Sequence, residues 1–167
     1  MKQRADIAVK QCSSEQLPLI AGIEKKYIPG GWSEKGFSDW LELNENAVIF
    51  GAFDEGKLIG FVSGSHAFEE GELLNIAVEE QYRRRGIAQL LLGTLFQHFA
   101  GMNVEKVFLE VRERNDPAVG FYKKNGFVQV GLRKNYYRDP TDNALVMQCV
   151  IDNVYDDVCF IDVPIKF

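Results

Sequence analysis

The part of the sequence that decides the fold is residues 73–99, LLNIAVEEQYRRRGIAQLLLGTLFQHF. The apolar run Leu73–Val78 predicts a strand, and a charged turn with three arginines and Gly86 follows it. Within 87–99, apolar residues then recur at every fourth position, with further apolar residues beside them. This pattern predicts a long helix whose wide apolar face lies in the core.

The turn between this strand and this helix has the chemistry of an anion site. No Ser, Thr, Asn or Asp precedes the helix, so its first backbone N–H groups have no side-chain cap. Water, another part of the fold or a ligand must satisfy those donors. Because the helix dipole and the arginines favour negative charge there, the turn predicts a phosphate-bearing cofactor.

The composition indicates a single soluble domain over residues 1–167. The hydrophobic content of 46% and the charged content of 26% are ordinary for a globular protein of 167 residues. No apolar run has transmembrane length and no secretory leader is recognisable, so we expect a cytoplasmic protein without membrane contact. A net charge of −5 argues against direct nucleic-acid binding.

The cysteines and histidines predict neither a disulfide framework nor a metal site. The three cysteines lie far apart and are odd in number, which fits a reducing compartment. The two histidines, His66 and His98, fall in a strand end and a helical pattern. We therefore expect no metal and no histidine-based catalytic triad.

Acidic residues gather near the arginine turn. They form either an ordinary solvated surface or an acidic rim that favours a cationic substrate. The residues are Glu69, Glu70, Glu72, Glu79 and Glu80.

The first part of the chain predicts an antiparallel meander after two short helices. Strands are expected at 6–11, 47–53 and 58–64, with a hairpin turn at 54–57. Ser13 or Ser14 is expected to cap the first helix and Ser33 the second, with a break at 29–31 between them. Trp32 at that break either fastens the loop to the core or lines a substrate groove.

The second part predicts a strand at 106–111, which a helical crossover makes parallel to Leu73–Val78. A helix then begins near Asn115 and ends at Asn125-Gly126. A hairpin of 127–132 with 145–151 follows. The C-terminal extension 152–167 is expected to add an edge strand or to pack on the sheet.

Two motifs in this order resemble a known family. Arg83–Ala88 matches the acetyl-CoA signature Gln/Arg-x-x-Gly-x-Gly/Ala of the GCN5-related N-acetyltransferases (GNAT), and Phe121–Phe127 resembles the end of that family's last helix. The resemblance covers about residues 46–151. It implies an α/β (α+β) fold with a mixed, mostly antiparallel central sheet of about seven strands, flanked by about four helices.

Within the family, three segments are similar to the RimI group of ribosomal-protein-alanine N-acetyltransferases: 74–78, 109–112 and 133–137. Two features depart from that group. Gly30-Gly31 separates Pro29 from Trp32, which are usually adjacent in sequence, and the chain continues past Ile151.

The resemblance also implies which residues bind the cofactor acetyl-CoA. Asn115 would hydrogen-bond the pantetheine arm, although helix capping is an equally good role for it. Gly86 permits close backbone approach, and the helix start supplies N–H donors to the pyrophosphate. The implied cofactor residues on the strand and turn are Ile76, Ala77, Val78, Arg84, Arg85, Gly86, Ile87, Ala88 and Gln89.

For catalysis, the resemblance implies that Glu110 accepts a proton from the amine and that Tyr122 protonates the departing CoA sulfur. The alternatives are a paired or surface carboxylate for Glu110 and core packing for Tyr122. Trp32, Tyr136 and Tyr137 would border the substrate.

The leading hypothesis is acetylation of a protein N-terminal α-amine, with the N-terminal alanine of ribosomal protein S18 as the substrate implied by the resemblance. An acetyltransferase of a small amine or antibiotic is the second hypothesis. A non-catalytic acetyl-CoA-binding subunit is the third, and the presence of both Glu110 and Tyr122 argues against it. The sequence specifies no oligomeric state.

Overall fold

The computed structural model describes residues 6–151, which form seven strands and four α-helices. Short 3₁₀ helices lie at Ser14–Gln16 and Glu80–Tyr82. The predicted fold class, a mixed sheet with flanking helices, is confirmed. In chain order the main elements are β1 (Ile7–Gln11), α1 (Leu17–Tyr27), α2 (Glu34–Leu43), β2 (Val48–Asp54), β3 (Lys57–Ala67), β4 (Glu70–Val78), α3 (Ile87–Gly101), β5 (Lys106–Arg112), α4 (Asp116–Lys124), β6 (Val128–Tyr137) and β7 (Asp142–Val150).

The strands are ordered β1-β2-β3-β4-β5-β7-β6. β1 pairs with β2, β2 with β3, β5 with β7 and β6 with β7, all antiparallel. β4 pairs in parallel with β5 through Glu70, Gly71 and Glu72. This parallel pair confirms the crossover that the helical pattern between the two strands predicted.

The chain divides into two compact units, which are described separately. Unit 1 comprises Met1–Ser65 and Leu73–His98, and unit 2 comprises His66–Glu72 and Phe99–Phe167. The single domain over residues 1–167 stays a prediction. The predicted extension 152–167 lies outside the described residues.

The core of unit 1 forms where α1 and α2 contribute apolar side chains next to those of β2 and β3. Ile20, Phe37 and Phe61 are fully buried in this cluster. Ser33 caps α2 as predicted, because its hydroxyl accepts a hydrogen bond from the Gly36 N–H at 3.1 Å. The cap at Ser13 belongs to the 3₁₀ turn that precedes α1 and not to α1 itself.

The predicted apolar face of α3 is confirmed. Ile87, Leu91, Leu95 and Phe99 are all buried, at 2% exposure or less. Burial of each such side chain contributes about 1.5–3 kcal/mol. Within residues 6–151, no helix has the length and apolar character needed to cross a membrane.

In unit 2, β5, β7 and β6 form an antiparallel part of the sheet, and α4 connects β5 to β6 along the chain. Asn115 caps its start by accepting from the Ala118 N–H at 3.3 Å. Gly126, with φ of +88°, follows its end in the left-handed region that glycine favours. The predicted β6–β7 hairpin is confirmed.

One carboxylate lies within the core of unit 1. The side chain of Glu24 on α1 is fully buried. Its Oε1 accepts a hydrogen bond from the Asn75 side-chain amide at 2.6 Å and one from the Trp32 backbone N–H at 3.2 Å. Its Oε2 is buried and has no hydrogen-bond partner among the described residues. Glu24 thus connects the loop before α2 to β4 through hydrogen bonds. Burying the second oxygen without a hydrogen-bond partner destabilises the fold.

The glycine pair that departs from the family pattern explains how this loop reaches Glu24. A Cβ atom on Gly31 would lie 2.5 Å from the Glu24 Cγ and 2.9 Å from its Oε1. Only glycine lets the backbone approach the carboxyl group this closely. Gly30, with φ of +69°, makes the turn before it.

Burial raises the pKa of Glu24 from 4.5 to about 7, and the Trp32 N–H partly opposes this increase. The folded protein therefore holds a proton between about pH 4.5 and 7 that the unfolded chain has released. Stability must fall as the pH rises through this window, and the loss persists above it.

We predict the pH dependence of the stability of the wild type relative to Glu24→Gln. The free energy of unfolding of the wild type minus that of the variant should decrease by about 2–3 kcal/mol from pH 5 to pH 8. Gln cannot ionise, so the difference isolates the charge on Glu24. Urea unfolding at both pH values measures it. The exposed turn residue Glu45 provides the control, because Glu45→Gln should change the same difference by less than about 0.5 kcal/mol. A pH-independent difference for Glu24→Gln would show that the carboxyl group is not destabilised by burial.

Candidate active site

The turn that leads into α3 has the backbone geometry of an anion site. Arg84 and Gly86 both adopt left-handed conformations, with φ of +61° and +75°. The first hydrogen bond of the helix runs from the Leu90 N–H to the Gly86 carbonyl at 3.0 Å. The N–H groups that precede Leu90 in the helix therefore have no acceptor within it. Arg84 and Arg85 are exposed beside them.

Tyr27 at the end of α1 holds the first part of this turn in place. Its hydroxyl donates to the Glu79 carboxylate at 2.7 Å and accepts from the Glu80 N–H at 3.1 Å. The Arg83 guanidinium lies 4.4 Å from the centre of its ring. Arg83 Nε also donates to the Val78 carbonyl at 3.0 Å, so this arginine supports the turn.

Glu79 is part of the same support. The Lys26 ammonium binds its carboxylate at 2.7 Å. That bond and the Tyr27 hydroxyl lower the pKa of Glu79. Glu79 is thus a buried, paired carboxylate, whereas Glu69, Glu70, Glu72 and Glu80 are exposed. A rim that attracts a cationic substrate stays a prediction for those four.

The three strand residues that were predicted to bind the cofactor lie together at the end of β4. Ala77 and Val78 are buried, and Ile76 is half-buried. Gly60 of β3 lies directly against this segment, because a Cβ there would be 2.9 Å from the Ala77 carbonyl oxygen. The Ile87 and Ala88 N–H groups at the helix start, the left-handed Gly86 and two exposed arginines follow this segment along the chain. Together they fit a phosphate-bearing cofactor.

Trp32 packs against the core of unit 1. Its ring lies 5.6 Å from Phe37 and 5.7 Å from Trp40, both in edge-to-face geometry. The interpretation that Trp32 fastens the loop to the core is therefore confirmed. A contact between Trp32 and the substrate stays a prediction.

In unit 2, Glu110 on β5 forms a polar cluster with residues of β6. The Arg133 Nε lies 2.8 Å from the Glu110 Oε1. Interaction with this carboxylate, as a hydrogen-bond acceptor and as a negative charge, raises the pKa of Tyr136. The Glu110 side chain is 27% exposed, so solvent or a small group can reach it.

Two further titratable groups surround Glu110. Partial burial raises the pKa of Tyr137 to about 12, and the Glu110 charge adds to the increase. Glu72 on β4 is an exposed residue, but its carboxyl is partly desolvated and feels the negative charge of Glu110. Desolvation is the larger cause that raises the pKa of Glu72, and that repulsion is the smaller one.

Tyr122 on α4 is buried at 7% exposure between two aromatic neighbours. Its ring lies 5.5 Å from Phe121 and 5.5 Å from Phe127. Burial is the main cause that raises the pKa of Tyr122, and the charge that Tyr137 can carry is a smaller cause. The hydroxyl therefore stays protonated at any pH at which the protein operates.

The structure brings Glu110, Tyr136 and Tyr137 together in one polar cluster, while their catalytic and substrate-binding roles stay predictions. It also shows Asn115 as a helix cap, while its contact with a cofactor stays a prediction.

The sequence did not predict that Arg133 and Tyr27 belong to the candidate site or that Glu24 lies in the core, and it placed Glu72 only in a possible acidic rim. Glu24 did carry a signal, because it lies four positions after Ile20 on the apolar face of α1. Arg133 carried none, because only the long-range pairing of β5, β7 and β6 brings it to Glu110.

Comparison with known proteins agrees with this geometry. The model of the Acetyltransferase (GNAT) family matches residues 17–127. A putative [ribosomal protein bS18]-alanine N-acetyltransferase of Bacillus subtilis is 30% identical over 91% of this chain and 99% of its own length. The [ribosomal protein bS18]-alanine N-acetyltransferase of Escherichia coli is 30% identical over 83% of this chain and 94% of its own.

The crystal structure of the ribosomal-protein-S18-alanine N-acetyltransferase from Escherichia coli superimposes with a TM-score of 0.80 at 29% identity. The match covers 92% of this chain and 99% of that one. The chain therefore belongs to the acetyltransferase (GNAT) family and is an acetyl-CoA-dependent N-α-acetyltransferase.

Proposed function

We propose that this enzyme acetylates a protein N-terminus in the cytoplasm and that the N-terminal alanine of ribosomal protein S18 is its substrate. The observation that carries the proposal is that relatives named for this reaction match 83–91% of the chain at 30% identity. Neither Cys12 nor Cys149 forms a disulfide, which fits a reducing compartment.

We propose that the residues at the start of α3 hold the pyrophosphate of acetyl-CoA. The N–H groups that precede Leu90 supply the donors, and Arg84 and Arg85 supply positive charge. Gly86 permits close approach of the ligand to the backbone, and the end of β4 with Asn115 contacts the rest of the cofactor. When bound, acetyl-CoA supplies the acetyl group as a thioester.

In this proposal Glu110 takes a proton from the substrate amine. An α-amine has a pKa of roughly 7.7–8.0, so much of it is protonated at neutral pH and cannot attack. A carboxylate that is partly exposed can accept this proton directly or through a water molecule. The deprotonated nitrogen then forms the new N–C bond.

Tyr122 supplies a proton at the other end of the reaction. As the C–S bond breaks, the sulfur leaves with the electron pair and takes the phenolic proton. The conjugate acid of such a thiolate has a pKa of about 8.5. The raised pKa of Tyr122 makes it a weaker acid, but it guarantees that the proton is present.

The amine attacks directly, without an acyl-enzyme. A nucleophilic cysteine must be a thiolate, and burial raises the pKa of Cys12 to about 11. Cys149 is buried, and its thiol hydrogen-bonds to the Asn125 carbonyl at 3.7 Å. Neither of these two cysteines is activated for covalent catalysis.

The proposed substrate class predicts where the acetyl group appears. We expect a basic peptide that begins with the S18 alanine to be acetylated on its α-amine. The same peptide with a blocked N-terminus but free lysines, and spermidine, should react at least about 100-fold more slowly. Mass spectrometry of the mixed substrates with acetyl-CoA locates the group. Preferred acetylation of spermidine or of lysine would replace this proposal with the small-amine or side-chain alternative.

The proposed acid role predicts that Tyr122→Phe lowers kcat by about 100-fold or more. The affinity for acetyl-CoA should change by less than about twofold, because only the hydroxyl is lost. Stopped-flow CoA release and calorimetric titration measure the two quantities. An unchanged thermal midpoint controls for packing, since phenylalanine keeps the contacts with Phe121 and Phe127. Wild-type turnover in this variant would remove Tyr122 from the mechanism.

A further inference from the structure

The last turn of α1 contacts the two ends of a short segment of β4. The Glu24 Oε1 accepts a hydrogen bond from the Asn75 side-chain amide at 2.6 Å. Three residues later, the Tyr27 hydroxyl donates to the Glu79 carboxylate at 2.7 Å. Residues three apart lie on the same face of a helix. One turn of α1 therefore holds both ends of residues 76–78, the segment that is proposed to contact acetyl-CoA.

The same carboxyl group also holds the loop between α1 and α2, residues 28–33, which we call the Trp32 loop. The Glu24 Oε1 accepts a second hydrogen bond, from the Trp32 backbone N–H at 3.2 Å. The loop folds back to reach it, since the Ile28 N–H donates to the Glu24 carbonyl at 2.8 Å and the Gly31 N–H to the Ile28 carbonyl at 3.0 Å. A single carboxyl oxygen thus joins β4 to the Trp32 loop.

Core packing does not account for a carboxyl group at position 24. Glu24 is fully buried, and its Oε2 has no hydrogen-bond partner among the described residues. An unpaired buried oxygen destabilises the fold, and an apolar side chain would fill the same space without that loss. Arrangements of this kind concentrate at functional sites, where they position other groups. We therefore look for the role of Glu24 in the two segments that it holds.

The Trp32 loop is named for the residue that is predicted to border the substrate. The Trp32 ring packs edge-to-face on Phe37 and Trp40, and the residue is half-buried, so part of it is accessible. Glu24 binds the backbone N–H of Trp32 itself and the side chain of Asn75 on β4. It therefore sets the position of Trp32 relative to the strand segment that follows Asn75.

We propose that Glu24 is a positioning residue for the peptide substrate, which fixes the Trp32 loop against the strand segment that binds acetyl-CoA. This inference rests on the proposed function, in which a peptide N-terminus meets the cofactor. Tyr27 in the same helical turn serves the cofactor side instead, because its partners Glu79 and Glu80 lead into the anion-binding turn. The two residues therefore have separable effects.

The test compares Glu24→Leu with Tyr27→Phe in steady-state kinetics with acetyl-CoA and the S18 N-terminal peptide. Glu24→Leu removes the acceptor, so the KM for the peptide should rise by about tenfold or more, as expected for the loss of one hydrogen bond. Its kcat should stay within about threefold of wild type, and its affinity for acetyl-CoA, measured by calorimetric titration, within about twofold. Tyr27→Phe should instead weaken acetyl-CoA binding by about fivefold or more and leave the peptide KM within about twofold.

Two further variants test the contact itself. Glu24→Gln keeps a side-chain oxygen that can accept from Asn75 and Trp32, so its peptide KM should stay within about threefold of wild type. Gly31→Ala keeps the carboxyl group, but its added Cβ atom would lie 2.5 Å from the Glu24 Cγ and forces the loop away. Its peptide KM should rise as in Glu24→Leu. Gly31→Ala also keeps the proposal testable if Glu24→Leu does not fold.

Ile20→Val is the control for stability. It removes a buried methyl group from the same helix and lowers the stability, but it leaves every hydrogen bond of the Trp32 loop in place. Its peptide KM should stay within about twofold of wild type when all assays are run well below the lowest thermal midpoint.

A wild-type peptide KM in both Glu24→Leu and Gly31→Ala would overturn the proposal. An equal rise in Ile20→Val would also overturn it, because a general loosening of α1 would then explain the effect. Acetylation of the peptide α-amine by the wild type separates this failure from that of the proposed function. If the wild type does not acetylate the α-amine, both fail. If it does and the two variants keep its KM, only the role of Glu24 fails.

Discussion

The hydrogen-bonding requirement at the start of α3 is the constraint on which the cofactor side of the molecule depends. A helix that begins without a side-chain cap leaves N–H groups that something must satisfy. Here the left-handed residues Arg84 and Gly86 lead into that start. The backbone before this helix start is held by contacts among four side chains, Lys26, Tyr27, Glu79 and Arg83. A half-buried tyrosine and an ion pair thus stabilise the turn that leads into the start of α3.

The polar cluster of unit 2 depends on a local irregularity. Glu110 lies on β5, and the side chains next to it come from the irregular part of β6. The shifted register places one cation and one phenol of this edge strand near the same carboxylate. Because the Glu110 side chain is partly exposed, this cluster avoids the large cost of burying an unpaired ion.

Most of the fold was predictable because it follows from local patterns. The apolar repeat of α3, the Ser33 cap and the parallel pair of β4 with β5 depend on neighbours in sequence or on a handedness rule. Within the candidate site, the turn between β4 and α3 was also predicted, whereas the meeting of Glu110 with Tyr136 was not.

The parts that escaped prediction depend on contacts between residues distant in sequence. Glu79 was counted among surface acids, but Lys26 and Tyr27, more than fifty residues earlier, bind it. Glu24 was not expected inside the core, because a carboxylate is normally excluded from it unless paired. The close approach of Gly31 to Glu24 makes this position possible, and no periodicity of the sequence reports it.

Hydrogen exchange at the start of α3 tests the central claim most directly. Saturating acetyl-CoA is expected to slow exchange of the Ile87 and Ala88 amides by at least about tenfold, because the cofactor supplies the acceptors that the helix lacks. The amides of α2 provide the internal control and should exchange unchanged. Saturated binding with unaltered exchange at Ile87 and Ala88 would contradict this, because the cofactor would then be held elsewhere.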